Sequence, residues 1–263
     1  MKARIASALG AEVTDLRPLH GGDLSEVVQA TLSDGRRVVA KLGTHVAVEA
    51  RMLRAIARTG ANTPKVLHNS DDLLLLEHLP EARPSPAGWQ VLGTTLRQLH
   101  SAPAQTPGWM EDYAFGALTI DNQPRRDWPT FWDQARLRPF LPSLPKHTAN
   151  RLSALLPTLP DRLNNAPLAL LHGDLWTGNA LFTADSAYLI DPASYHGDPE
   201  VDLAMLHVFG TPPDAFWQGY GTPREGWRAR RSIYQLYPAL VHHRLFGAGY
   251  LGLVEQLLDE AFA

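Results

Sequence analysis

An aspartate and an asparagine stand five positions apart, Asp174 and Asn179, in the segment His172-Gly173-Asp174-Leu175-Trp176-Thr177-Gly178-Asn179. A loop with this spacing can offer a carboxylate to an attacking hydroxyl and an amide oxygen to a hard divalent cation. Phosphoryl transfer needs both, because the acceptor must lose a proton while charge on the phosphate oxygens is neutralised. An exposed polar loop that uses Asp and Asn as turn formers is the alternative. A second carboxylate, Asp191, follows the apolar run Leu189-Ile190 and precedes Pro192, seventeen positions after Asp174. That position suits a magnesium ligand; a strand-ending Asp before a proline turn is the plain reading.

Further upstream, Lys41 closes Val38-Val39-Ala40-Lys41, and Glu49 lies eight residues on. A strand lysine can contact the α- and β-phosphates, and a helix glutamate can hold it there. Gly21-Gly22-Asp23 is a candidate phosphate-covering turn. It lacks the full Gly-x-Gly-x-x-Gly pattern, and an ordinary turn fits it equally well. Leu73–Glu77 running into His78-Leu79 resembles a strand entering a hinge, with backbone groups of Glu77 and Leu79 available to an adenine edge. Asp202 is placed either to brace the catalytic loop through backbone N–H groups or to serve as a helix-start acid favoured by the dipole.

These residues need a scaffold. Val27–Leu32 and Arg36–Leu42 read as strands joined by the turn Ser33-Asp34-Gly35. Val46–Arg58 reads as a helix with Met52, Leu53, Ile56 and Ala57 on one face, and Val66–His68 and Leu73–Glu77 as strands. A proline-rich stretch near Pro80–Pro86 marks a boundary, giving expected divisions at 1–80 and 81–263. Beyond it the chain turns helical: Trp89 to Leu99, Phe131–Phe140, Ala149–Leu156, Asp202–Phe209, Ile233–Phe246 and Leu251–Phe262. Two short strands, Leu168–Leu171 and Ala187–Ile190, interrupt the helices. The expected class is α+β, a small β-rich lobe followed by a larger helical one.

Composition narrows the partners. With 263 residues, 44% hydrophobic, 19% charged and a net charge of −3, the chain is an ordinary globular protein. It gives no reason to expect nucleic-acid binding, and Arg228, Arg230 and Arg231 read as a solvated surface. The absence of cysteine excludes disulfides, thiolate metal sites and cysteine nucleophiles. No run approaches a membrane span and the N-terminus is unlike a signal peptide, so a cytoplasmic enzyme is expected. No signal sets an oligomeric state. His242 and His243 are adjacent, do not share a helix face, and read as structural or surface residues.

Over nearly its whole length the chain resembles the fructosamine kinase (ketosamine-3-kinase) family, related to aminoglycoside and choline kinases. The resemblance is carried by Gly21-Gly22-Asp23, Lys41, Glu49, Leu74–Glu77, Leu92-Gly93 through Leu99-His100, Phe115-Gly116, Trp128 with Phe131, Leu171 to Asn179, Ile190–Ala193, Gly197-Asp198 and Glu200 to Met205. It is also carried by Tyr234–Tyr237 and Phe246–Tyr250. The resemblance implies a protein-kinase-like fold, ATP and Mg²⁺ as cofactors, and phosphorylation of the sugar 3-hydroxyl of a fructosamine or ribulosamine, free or protein-bound, in deglycation. Under it Asp174 is the base, Asn179 and Asp191 are magnesium ligands, and Lys41 contacts phosphates. Glu77, His78 and Leu79 hold adenine, with Gly21, Gly22 and Glu49 completing the ATP site. His172 and Asp202 support the loop, and Asp23 and Trp176 are acceptor-site candidates. Trp176 either packs against the sugar or is structural. Thr177 replaces the usual Ser, and Ser194-Tyr195-His196 departs from the common run after the metal aspartate. A kinase of another small alcohol or aminosugar, or a non-catalytic nucleotide-binding protein, is the alternative.

Overall fold

The computed structural model describes residues 1–19 and 26–263. The turn Gly21-Gly22-Asp23 therefore lies outside the described residues. Helix α1 (Lys2–Leu9) precedes strands β1 (Val13–Pro18), β2 (Glu26–Leu32) and β3 (Arg37–Leu42), then helix α2 (Val46–Arg58) and strands β4 (Val66–Asn69) and β5 (Leu73–Glu77). The five strands form one antiparallel sheet in the order β1-β2-β3-β5-β4. β2 buries alternate residues, as a half-covered strand must. β5 buries Leu73 to Leu76 in succession because it lies inside the sheet, covered on both faces. At the β2–β3 turn Gly35 adopts φ 85°, which a side chain would disfavour, and Asp34 Oδ1 accepts the Arg36 N–H at 3.0 Å. α2 lays Met52, Leu53 and Ile56 against the core and turns Glu49 inward towards β3.

The strand β1 has no apolar alternation to reveal it. It is an edge strand ending in Pro18, mostly half-exposed, where a missing N–H is tolerated.

After β5 the chain passes through a proline-rich connection into α3 (Pro86–His100), whose N-cap Ser85 accepts the Gly88 N–H at 3.1 Å. The hairpin β6 (Tyr113–Phe115) and β7 (Leu118–Ile120) follows, then α4 (Trp128–Phe131), α5 (Lys146–Leu155) and α6 (Leu159–Arg162). The short strands β8 (Ala169–Leu170), β9 (Ala180–Phe182), β10 (Ala187–Leu189) and β11 (His196–Gly197) frame the catalytic segment. The chain ends in helices α7 (Glu200–Leu206), α8 (Asp214–Tyr220), α9 (Trp227–Phe246) and α10 (Leu251–Phe262). This is an α+β fold with an antiparallel sheet and a helical remainder. No described helix is long and apolar enough to cross a membrane.

Helix α7 starts two residues before and ends three before the expected Asp202–Phe209, and two further readings are overturned. The helix expected over Phe131–Phe140 is a final α turn, then π-helical turns at Trp132–Leu137 and a 3₁₀ stretch at Arg138–Ser143. Pro139 and Pro142 lack the N–H that an α-helix requires there. Nor is Arg230 part of a solvated patch: it turns inward and grips Glu200 with two bonds of 2.7 and 2.8 Å.

α3 and α8 cross at backbone distance. A Cβ on Gly93 would lie 2.1 Å from Phe216 O, and one on Gly219 would lie 2.0 Å from Gln90 O. Gly93→Ala is therefore expected to force the helices apart and destabilise the fold by about 3 kcal/mol, read as a lower urea midpoint at unchanged slope.

Candidate active site

The loop between β8 and β9 carries Asp174, and its shape follows from two glycines. Gly173 adopts φ 83°, and a Cβ there would meet Ala193 O at 2.1 Å. Gly178 lies under the Trp176 ring, whose carbons would come within 2.3 Å of an added Cβ. Asp202, wholly buried on α7, holds the loop from behind. Its two oxygens accept the His172 N–H at 2.7 Å and the Gly173 N–H at 2.9 Å, and His100 Nε2 donates at 3.0 Å. Burial alone would raise the Asp202 carboxyl, but His100, His172 and the Gly173 N–H hold it below its ordinary value.

His172 ties this loop to the segment after β10 that carries Asp191. Its Nε2 donates to Ile190 O at 2.8 Å, and its Nδ1 accepts the Asp174 N–H at 3.3 Å. Both bonds require the neutral ring with the proton on Nε2, and burial depresses its basicity accordingly. Ile190 N–H donates to Asn179 O at 3.0 Å, and Ala193 N–H to His172 O at 2.9 Å. Asp174, Asn179 and Asp191 are thus fixed relative to one another by backbone. Asp191 itself sits at φ 54°, a left-handed conformation uncommon outside glycine.

Within the site, Asn179 Nδ2 donates to Asp174 O at 2.7 Å and to Asp174 Oδ2 at 3.1 Å. Its amide oxygen remains for another partner. Burial pushes the Asp174 carboxyl up to about 7, with Asp191 and Asp202 adding to the effect and the Asn179 bond opposing it. Lys41 reaches from β3 to Glu49 Oε1 at 2.7 Å and also contacts Asp191 Oδ1. Burial would strip its proton, but the two carboxylates hold it charged, above the usual lysine range.

Lys41, Glu49, Asp174, Trp176, Asn179 and Asp191 line one cavity of about 630 Å³. His172 and Asp202 stand behind it, buried. Glu77, His78 and Leu79 lie at the end of β5, outside this lining; Glu77 Oε1 accepts the Lys65 N–H at 2.8 Å.

The family model for fructosamine kinase matches residues 1–263. The chain belongs to the fructosamine kinase family. It is 35% identical over 252 residues to a protein of Thermus thermophilus described as a probable ketoamine kinase, covering 89% of each chain. A crystal structure of a Thermobifida fusca protein assigned as a fructosamine-3-kinase superposes with a TM-score of 0.91 at 32% identity, covering 100% of this chain and 98% of that one. A choline/ethanolamine kinase family protein of Mesorhizobium loti shares the fold, with a TM-score of 0.68 at 20% identity over 99% of this chain and 92% of that one. The family is one of phosphotransferases that act on hydroxyl groups, and this kinase has the protein-kinase-like fold expected of it.

Several residues at or behind the cavity carry no signal in the sequence. His242, read as structural or surface, lines the cavity beside Phe246 and Tyr250. Arg136 is wholly buried, its guanidinium 4.2 Å from the Tyr195 ring centroid and 5.1 Å from that of Tyr237, which lines the cavity. It donates to Asn122 Oδ1 at 2.6 Å and Asp121 O at 2.7 Å. Asp198 and Glu200 gather Tyr234, Arg224 and Arg230 into a second buried polar cluster that fixes α7 against α9. A sequence window shows such arginines as ordinary surface residues; only their partners reveal them.

Proposed function

We propose that this kinase transfers the γ-phosphoryl group of ATP to a sugar hydroxyl of a ketosamine, the 3-hydroxyl of a fructosamine or ribulosamine, as a step in deglycation. The observation that carries this reading is the cavity that joins Asp174, Asn179, Asp191 and the Lys41–Glu49 pair in a chain of this family. Residues 1–80 serve as the nucleotide-binding lobe and 81–263 as the catalytic and acceptor-binding lobe. Glu77, His78 and Leu79 serve adenine, Gly21 and Gly22 serve the ATP site, and Asp23 and Trp176 serve the acceptor.

The donors present suit magnesium. The Asn179 amide oxygen and the Asp191 carboxylate are hard oxygen ligands, and no described cluster of three or more His, Cys, Asp or Glu forms an all-protein cage. One carboxylate, one amide and phosphate oxygens are the set that magnesium takes in kinases. When bound, the ion supplies charge neutralisation across the phosphates. Lys41 adds its own charge to the non-transferring phosphates, and Glu49 keeps it oriented. Asp174 accepts the proton of the attacking hydroxyl, while Asp202 and His172 keep that carboxylate in place.

The test is ATP consumption with fructosyl-lysine or ribulosyl-lysine. ADP should form in proportion to acceptor, and chelating the magnesium should stop it. Turnover on another alcohol, with none on any ketosamine, would overturn the reading.

A further inference from the structure

One end of the cavity is built from rings that the phosphoryl chemistry does not use. Phe209, after α7, lies 5.0 Å from His242 between ring centroids; Tyr250 lies 5.0 Å and Phe246 5.5 Å from the same imidazole. Trp176 of the catalytic loop meets Phe209 edge to face at 6.4 Å, so the cluster is continuous with Asp174. Among the seven large apolar side chains exposed in the described residues, three are here: Trp176 at 41%, Phe209 at 47% and Phe246 at 56%. Exposed rings gathered on the wall of a cavity mark a surface that a ligand covers.

The cluster has a defined polarity. His242 Nδ1 is 2.8 Å from Pro238 O, which can only accept, so Nδ1 donates there and Nε2 is the ring nitrogen left for another partner. The described residues lining this end include no lysine, arginine, aspartate or glutamate. Lys41, the cation that lines the cavity, is held by Glu49 and Asp191 at the other end.

We infer that Phe209, His242, Phe246 and Tyr250 form a subsite for the amine substituent of the ketosamine, selecting an apolar or aromatic group over one bearing a carboxylate. The inference rests on the ketosamine reading above. In such an acceptor the nitrogen is on C1, two carbons from the 3-hydroxyl, so with that hydroxyl at Asp174 its substituent starts beside the ring cluster that Trp176 joins to the loop. Rings give an apolar group dispersion and burial, and their faces attract the protonated secondary amine. A carboxylate on that substituent would lose water without gaining a cationic partner among the described residues that line this end. The aliphatic stem of lysine belongs to the accepted class.

The experiment compares two adducts of one ketose, made with benzylamine and with glycine, in steady-state kinetics on the intact protein. The benzylamine adduct is expected to show a KM lower by about tenfold or more. Its kcat should stay within about threefold of that of the glycine adduct, because the hydroxyl and its base are the same. Phe246→Ala should bring the two KM values together. Equal KM values in the wild type, preference for glycine, or an unchanged ratio in Phe246→Ala would overturn the subsite. Absence of turnover with every ketosamine would instead overturn the functional reading, and the subsite with it.

Discussion

Asp174→Asn is expected to lower kcat by on the order of 10³-fold while leaving the affinity for ATP within about twofold. Asparagine has nearly the shape of aspartate, so the loop, the Gly173 turn and the contact to Asn179 can persist. What disappears is the one oxygen placed to take the hydroxyl proton. The pH profile carries the same signature. Burial raises the Asp174 carboxyl to about 7, and a base works only when deprotonated. In the wild type kcat/KM should therefore fall as pH drops through about 7, instead of near the ordinary carboxylate range. The residual rate of Asp174→Asn should lack that inflection. A variant with near-normal kcat would remove Asp174 from the role of base.

Asp202→Ala is expected to be the most damaging change behind the site. The carboxylate accepts the His172 and Gly173 N–H groups and the His100 imidazole, all away from water. Alanine leaves those donors without a partner, a loss of about 3 kcal/mol or more for buried, charge-assisted bonds. For a chain of this size that is a fall in Tm of roughly 6–12 °C. The kcat should fall as well, because Gly173 then loses the anchor that positions Asp174. Asp202→Asn keeps one carbonyl oxygen as acceptor and should lie between the two. A Tm within about 1 °C of wild type for Asp202→Ala would show that water replaces the carboxylate without loss.

The sheet and most helices were legible because their signals are local. α2 spans Val46–Arg58 as its apolar face indicates, and β5 and α10 also match their expected bounds. β1 escaped notice because an exposed edge strand needs no apolar face. α8 escaped because it is seven residues long and owes its place to Gly93 and Gly219, a contact between segments far apart in sequence. The site divides in the same way. Asp174 and Asn179 share a loop and Asp191 follows β10 closely, so spacing was enough to group them as candidates that line one cavity. The rings around His242 share no spacing: Phe209 follows α7, while Tyr250 comes back to α9 only after the chain breaks at Gly247, φ 88°. Arg136 falls in the stretch expected as an α-helix, Phe131–Phe140, and the π-helical turns there place it inside, against Phe131, Tyr195 and Tyr237.

The most direct measurement is an early-time ³¹P NMR spectrum of the wild-type protein with ATP, magnesium and ribulosyl- or fructosyl-lysine, taken before the sugar phosphate decomposes. One new phosphomonoester resonance coupled to the proton on C3, appearing in step with ADP and absent with Asp174→Asn, is the predicted result. A phosphomonoester at another carbon, or inorganic phosphate released from ATP with no sugar phosphate formed, would contradict the assignment of Asp174 to the 3-hydroxyl of a ketosamine.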